Sequence, residues 1–197
     1  INIGKNKDTP IENAVEDYCY LFQQAAPFAG YITVNISSPN TENLRALQHG
    51  ELLQALLSAL KKEQAAFQKA HHKYVPIVVK IAPDLTEEEL KNIADIFLKE
   101  KIDGVIATNT TLARNGVEKS IFAKEVGGLS GLPLQERSTE IVQQLHALLK
   151  NEIPLIACGG IFSASDAKAK LNAGASLIQI YTGFIYQGPS LITSCSS

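Results

Sequence analysis

Val34-Asn35-Ile36-Ser37-Ser38-Pro39-Asn40-Thr41 begins as the tail of an apolar run, Tyr31 to Ile36, and turns within a few residues into hydroxyls and carboxamides broken by a proline. Pro39 has no N–H to give to a sheet ladder and drives Ser38 toward an extended backbone. A strand must therefore stop here and present Ser38 and Asn40 from a constrained turn. Two readings fit: a plain Ser-Pro-Asn turn, or a buried strand ending in a site. The rest of the chain decides between them, because several other predicted strands end in the same way.

Upstream, Ile1 to Gly4 reads as a short strand containing Asn2. Thr9-Pro10-Ile11-Glu12 has the form of a capping box with proline at the first helical position. Val15, Tyr18, Leu21, Phe22 and Ala25 make the apolar face of that helix, and Pro27 ends it. Downstream, the connection from Thr41 to Gly50 exceeds the usual strand-to-helix join, as a lid over a site does. Leu52, Leu53, Leu56, Leu57 and Leu60 then recur at helical spacing. His71 and His72, with no further ligands beside them, read as solvated loop residues rather than a metal site.

Ile77-Val78-Val79-Lys80-Ile81-Ala82 is a β-branched run of the kind found in parallel sheets covered on both faces. Lys80 interrupts it, and such a lysine either faces a cavity holding an anion or snorkels to an edge. Thr86-Glu87-Glu88-Glu89 is a second capping box, ahead of Leu90, Ile93, Ile96 and Phe97. Val105 to Thr111 is another apolar strand ending in amides and hydroxyls, Thr108-Asn109-Thr110-Thr111. A loop holding Gly127-Gly128-Leu129-Ser130-Gly131 follows, then a helix with Ile141, Val142, Leu145 and Leu148 as its stripe and His146 beside it, read as a packed or half-exposed histidine rather than a catalyst. Leu155 to Gly160 is a strand finishing in paired glycines. Ser163 or Ser165 caps the next helix, and Gly174 closes it in a left-handed cap. Leu177 to Gly183 is the last strand, and Thr193 to Ser197 show no usable pattern.

Six strand-then-helix units without hairpin signals imply a parallel sheet, either doubly wound or closed as a barrel. A doubly wound sheet gathers its ligand at one switch point and needs only a few polar strand ends. Here nearly every strand end is polar, which favours a barrel with its site at one rim. Two more units would bring the 197 residues near the ~250 typical of such a barrel. The predicted fold is an incomplete (β/α)8 TIM barrel, residues 1–197 forming one domain that lacks the first two strands. Counted from the end, Gly159-Gly160 and Tyr181-Thr182-Gly183 follow the seventh and eighth strands, where barrels commonly bind phosphate through bare backbone N–H groups.

Composition bounds the function. A net charge of −2 gives no basic footprint for nucleic acid. Cys19, Cys158 and Cys195 are odd in number and far apart, and they read as reduced thiols of a cytosolic protein without a metal site. No apolar run approaches the ~20 residues needed to span a bilayer. The start lacks both the plan of a signal peptide and an initiator methionine, so the natural protein is expected to extend upstream.

Asn35 to Thr41, Lys80-Ile81-Ala82-Pro83-Asp84, Thr108 to Thr111, Gly127 to Gly131, and Gly174-Ala175-Ser176 with Tyr181-Thr182-Gly183 together resemble class 2 dihydroorotate dehydrogenases. The resemblance runs from Asn2 to about Pro189 in the family's order and spacing. Class 1 relatives carry cysteine where this chain has Ser38. The resemblance implies an FMN-dependent oxidation of dihydroorotate to orotate in pyrimidine synthesis, with a quinone as acceptor. Ser38 is then the base that takes the C5 proton, with Thr110 or Thr41 as candidates for its relay. Asn35, Asn40, Asn109 and Thr110 match substrate positions. Asn2, Asn35, Lys80, Thr108, Gly131, Gly160, Tyr181 and Thr182 match FMN positions, Lys80 beside N1 and the C2 carbonyl, and the later ones at the phosphate.

The family's front third has no counterpart in the sequence. It includes the helices that lead quinone to the flavin at the cytoplasmic side of the membrane, two barrel strands, and a substrate-binding lysine and asparagine. The tail after Pro189 does not read as the family's closing helix. The parent protein is expected to be a peripheral membrane protein and this chain alone soluble, with two open sheet edges. The alternatives are a class 1-like flavin barrel acting on a pyrimidine ring, and a non-catalytic barrel fragment with residual phosphate or flavin binding.

Overall fold

The computed structural model describes residues 1–196 and gathers the strand signals into one six-stranded parallel sheet. The strands are β1 (Asn2–Ile3), β2 (Ile32–Asn35), β3 (Ile77–Ile81), β4 (Gly104–Ala107), β5 (Leu155–Cys158) and β6 (Leu177–Gln179). They lie in sequence order from one edge to the other. Such an order has no reversal and hence no switch point, which rules out the doubly wound alternative and leaves the wall of a (β/α) barrel.

The helices are α1 (Ala14–Ala25), α2 (Gly50–His71), α3 (Glu87–Glu100), α4 (Gln135–Leu149), α5 (Ala164–Asn172), α6 (Thr182–Gln187) and α7 (Ser190–Cys195). From α1 to α5 each packs on the next, as in the outer ring of a barrel. Alternation along the strands sorts the side chains into two layers. Ile32, Val34, Ile77, Val79, Ile81, Val105, Ala107, Leu155 and Ala157 join the helices in the main core. Val78, Ile106 and Cys158, with Ile156 against them, form a separate small cluster on the opposite, inward face. Thr33, Asn35 and Lys80 share that face, because the register pairs Thr33 with Val78, Asn35 with Lys80, and Lys80 with Ile106. The polar interruptions of the strands therefore line the barrel interior.

Local signals held where side chains could complete them. Thr86 and Glu89 form the full capping box of α3, each side chain bonding the other's backbone N–H. Ser163 rather than Ser165 caps α5, and Gly174 takes φ +107° after its end. The Thr9 box does not form. Lys5 Nζ donates to the carbonyls of Asn6 and Thr9, closing residues 5–9 around the ammonium, and the helix enters through a 3-10 turn at Ile11–Asn13 with Pro10 as its uncapped start. His71 is helical rather than in a loop, since α2 continues to it and its ring stacks on Phe67 with centroids 4.4 Å apart. The last strand is shorter than predicted, and Thr182 already begins α6. Residues of the patternless tail form α7, whose Leu191 is buried, while Ser197 lies outside the described residues. The two edge strands, β1 and β6, span only two and three residues. Short edges limit templating by other chains. Among the described residues no helix is long and apolar enough to cross a membrane.

One charge is buried in the helical layer. Lys170 of α5 is fully inaccessible, and burial pulls its ammonium down to about 8 against partial support from Cys158 and Asp166. A folded-state pKa below the unfolded value means that the unfolded chain holds more protons between the two. Stability supplied through this group therefore rises with pH across that window. We expect the stability of the wild-type chain relative to Lys170→Met to increase from about pH 8 to about pH 10.5, by roughly 2–4 kcal/mol in denaturant titrations. A difference independent of pH would contradict the assignment.

Candidate active site

Because all strands are parallel, their C-terminal ends meet at one rim, and the polar stretches singled out above are brought together there. Asn35, at the end of β2, and Asn109, just past β4, are joined side chain to side chain: Asn109 Nδ2 donates to Asn35 Oδ1 at 3.1 Å and to Ser37 Oγ at 3.1 Å. Ser37 Oγ donates to the Lys80 carbonyl at 2.6 Å, which ties β3 into the same knot. Tyr18 of α1 donates to the Asn35 carbonyl at 2.7 Å, and burial pushes its phenol above the usual range. Each carboxamide orientation is thus set by its neighbours. Thr108 is buried, and its N–H donates to the Cys158 carbonyl at 2.8 Å, joining the end of β4 to β5.

Ser38 is half-buried at the lip of this knot, and its Oγ accepts from the Asn40 N–H at 3.2 Å. Gly128 of the glycine loop lies between Thr110 and Pro39. A Cβ built on Gly128 would lie 1.9 Å from Thr110 Oγ1 and 2.8 Å from Pro39 Cγ, and one on Gly127 would lie 3.2 Å from Asn40 Oδ1. Glycines at these positions let loop 127–131 close down on the Ser38 and Thr110 turns.

Arg45 fixes the turns from behind. Its Nε donates to the Ser37 carbonyl at 3.1 Å, Nη2 to the Thr110 carbonyl at 2.9 Å, and Nη1 pairs with Asp84 at 2.7 Å. Asp84 also accepts from the Thr111 hydroxyl and from the Leu112 N–H. The long Thr41-to-Gly50 connection that carries Arg45 is folded as a 3-10 turn, Leu44–Gln48, with Leu44, Leu47 and Gln48 buried. It is an anchored brace beneath the turns rather than a loose cover.

The glycine-bearing ends converge on the other part of the rim. A Cβ on Gly131 would lie 3.3 Å from Thr182 Cγ2, and Thr182 Oγ1 bonds Ser130 Oγ at 2.9 Å. Gly183 packs on the Ile161 carbonyl, where a Cβ would come within 2.1 Å. Gly159 and Gly160 take φ +119° and +70°, and the N–H groups of Gly160 and Thr182 bond to no main-chain carbonyl among the described residues. Tyr181 has its side chain exposed. Asn2 pairs in register with Thr33 at the β1 edge and is exposed.

Two further features face inward. Lys80 is half-buried, and no hydrogen bond or ion pair is seen at its ammonium among the described residues. Gln179 Oε1 is buried without a hydrogen-bond partner. Buried polar groups are normally satisfied, so an unpaired cation and an orphaned acceptor on one inner surface mark a place for a polar ligand. The register places Lys80 on the inner face of an interior strand, beside Asn35 and Ile106. No cluster of metal-ligating side chains occurs among the described residues.

Sequence reasoning placed Ser38, Asn35, Asn40, Asn109, Thr110, Lys80, Thr108, Gly131, Gly160 and Thr182 on this rim and passed over Ser37, Arg45 and Gln179. Ser37 stood in the quoted motif, but its burial between Asn35 and Asn109, which makes it the hub, exists only in the fold.

A family model described as dihydroorotate dehydrogenase matches residues 1–196. The chain belongs to the dihydroorotate dehydrogenase family. A protein of Shewanella sp. (strain W3-18-1) named dihydroorotate dehydrogenase (quinone) is 59% identical over 192 residues, covering 98% of this chain and 57% of the relative. One of the same name from Burkholderia cenocepacia (strain J2315) is 55% identical over 195 residues, covering 99% and 56%. The crystal structure of an Eimeria tenella dihydroorotate dehydrogenase in complex with ferulenol superposes with a TM-score of 0.93 at 38% identity, over 98% of this chain and 54% of that one. The chain thus spans little more than half the length of the dihydroorotate dehydrogenases it matches. Agreement with their structure bears out the incomplete barrel.

Proposed function

We propose that the protein containing this chain is a quinone-dependent dihydroorotate dehydrogenase that oxidises dihydroorotate to orotate in pyrimidine synthesis, with FMN as its flavin. Residues 1–197 form the C-terminal portion of a single barrel domain. The observation that carries this reading is the coupled Asn35–Ser37–Asn109 knot beside an unpaired Lys80 ammonium, with Ser38 at its lip.

The residues present fit FMN. The Lys80 ammonium suits the electron-rich edge of the flavin at N1 and the C2 carbonyl, with Asn2, Asn35 and Thr108 around the ring. Gly131, Gly160, Tyr181 and Thr182 would hold the phosphate, since the unbonded N–H groups of Gly160 and Thr182 suit an anion. When bound, FMN supplies the acceptor for the hydride leaving C6 of dihydroorotate.

The chain's own residues hold the substrate and move the proton. The carboxamide N–H groups of Asn35 and Asn40 can donate to the carbonyl edges of the pyrimidine, Asn109, whose two N–H groups are taken by Asn35 and Ser37, can accept through Oδ1, and Thr110 adds a hydroxyl. Ser38 Oγ takes the C5 proton as the C6 hydride departs, leaving a C5–C6 double bond. A serine hydroxyl is far from the near-neutral pKa suited to a base. Its proton must therefore be passed on, and Thr110 and Thr41 in the adjoining turns are the relay candidates. Arg45 holds the backbone of both turns and keeps this geometry through the reaction.

Quinone is an apolar acceptor, so its entry and the peripheral attachment of the protein to the cytoplasmic side of the membrane belong to segments of the longer protein outside the present sequence. The test is anaerobic addition of dihydroorotate to the FMN-loaded full-length protein. Bleaching of the visible flavin band with release of orotate is expected. An unchanged spectrum in a flavin-loaded sample would contradict the reading.

A further inference from the structure

Lys170 lies on α5, behind the rim, and the reaction as described makes no use of it. Its ammonium has three N–H groups and three acceptors: the Gln135 carbonyl at 2.9 Å, Thr139 Oγ1 at 2.7 Å, and Ser138 Oγ. All three belong to the first turns of α4. Ser138 Oγ in turn lies 3.1 Å from the Gly159 carbonyl. Gln135 is also the surface on which Gly160 rests, since a Cβ at Gly160 would lie 2.3 Å from Gln135 Cα. The ammonium, the start of α4 and the paired-glycine turn therefore form one continuous set of contacts.

A buried cation is seldom retained for stability, because well-packed apolar side chains do as well or better. The other groups that act electrostatically on Lys170 are the Cys158 thiol on β5 and Asp166 on its own helix, and neither forms a salt bridge with it. Its directed bonds tie α5 to the start of α4, and the start of α4 meets residues 159–160 through Ser138 and Gln135.

We propose that Lys170 is a positioning residue for the phosphate of FMN: it locks the start of α4 beneath the Gly159-Gly160 turn, and so aims the free Gly160 N–H at the anion. The identity of the ligand rests on the function proposed above, while the positioning itself does not. Removing the ammonium takes away the bonds that tie α5 to Gln135, Ser138 and Thr139, and lets the turn relax. Riboflavin, which has the ring system without the phosphate, does not need the turn.

The test compares FMN and riboflavin binding in the wild-type chain, Lys170→Met and Ser138→Ala, by flavin fluorescence. Lys170→Met is expected to lose FMN affinity by about tenfold while riboflavin affinity stays within about twofold. Ser138→Ala, which cuts the link to Gly159 but keeps the charge, is expected to lose FMN affinity selectively as well and covers the case in which Lys170→Met does not fold. Equal losses for both ligands, or none in either variant, would overturn the positioning role. The amide resonances of Gly159 and Gly160 in the ¹⁵N-labelled chain give a readout without flavin. They are expected to move in both variants, and unmoved resonances overturn the proposal whatever flavin does. A wild-type chain that takes up neither flavin counts against the function proposed above, while the resonances still decide the role of Lys170.

Discussion

Replacing Ser38 by alanine in the full-length protein is expected to slow reduction of bound flavin by dihydroorotate by about 10²–10⁴-fold, the span that a positioned base contributes. Flavin content should be unchanged, because Ser38 makes its hydrogen bond to the Asn40 N–H and none to the residues assigned to the cofactor. The loss should fall on the proton-dependent step. A rapid-mixing experiment at saturating dihydroorotate separates it from binding, since Asn35, Asn109 and Thr110, the residues proposed to hold the substrate, remain. If the rate of flavin reduction in Ser38→Ala equals that of the wild type, Ser38 is not the base.

Gly160→Ala is expected to be the most damaging single-methyl change on the rim. The new Cβ would meet Gln135 at 2.3 Å from both Cα and Cβ and 2.7 Å from N, a backbone wall that cannot swing aside, on a residue held at φ +70°. The left-handed conformation alone costs about 1–2 kcal/mol for a non-glycine residue. Displacing the start of α4 adds to it, so a loss of about 3 kcal/mol or more in urea unfolding is expected, together with weakened FMN binding. Gly30→Ala is the control: nothing lies within 4 Å of its added Cβ, and a change within about 0.5 kcal/mol is expected. Equal stability of the two variants would show that the Gly160 turn is not held as described.

Most of the architecture was legible because it is written locally. The leucines of α2, the Thr86–Glu89 box and the Gly174 cap each act within one or two turns of chain, and a parallel sheet in sequence order follows from strict alternation. The Thr9 box misled because the Thr9 N–H, which the Glu12 side chain would have to reach, donates instead to the Asn6 carbonyl at 3.3 Å. The rim's polar residues were legible one strand end at a time, and their resemblance to a known family assembled them. What holds them was not legible. Ser37, Arg45 and Asp84 act between segments far apart in sequence, and Arg45 sits in a connection with no pattern of its own. Lys170 was invisible for the same reason: in Ala164-Ser165-Asp166-Ala167-Lys168-Ala169-Lys170 it resembles its exposed neighbour Lys168, and only packing against α4 separates the two.

The central claim is that amides, hydroxyls, a free ammonium and bare N–H groups at one end of this parallel sheet form a flavin site. The visible absorption spectrum of the purified chain during titration with FMN tests it most directly. Saturable uptake, with a perturbed flavin band that persists through gel filtration and weakens in Lys80→Met, is the predicted result. A colourless chain that leaves added FMN free in solution would contradict it.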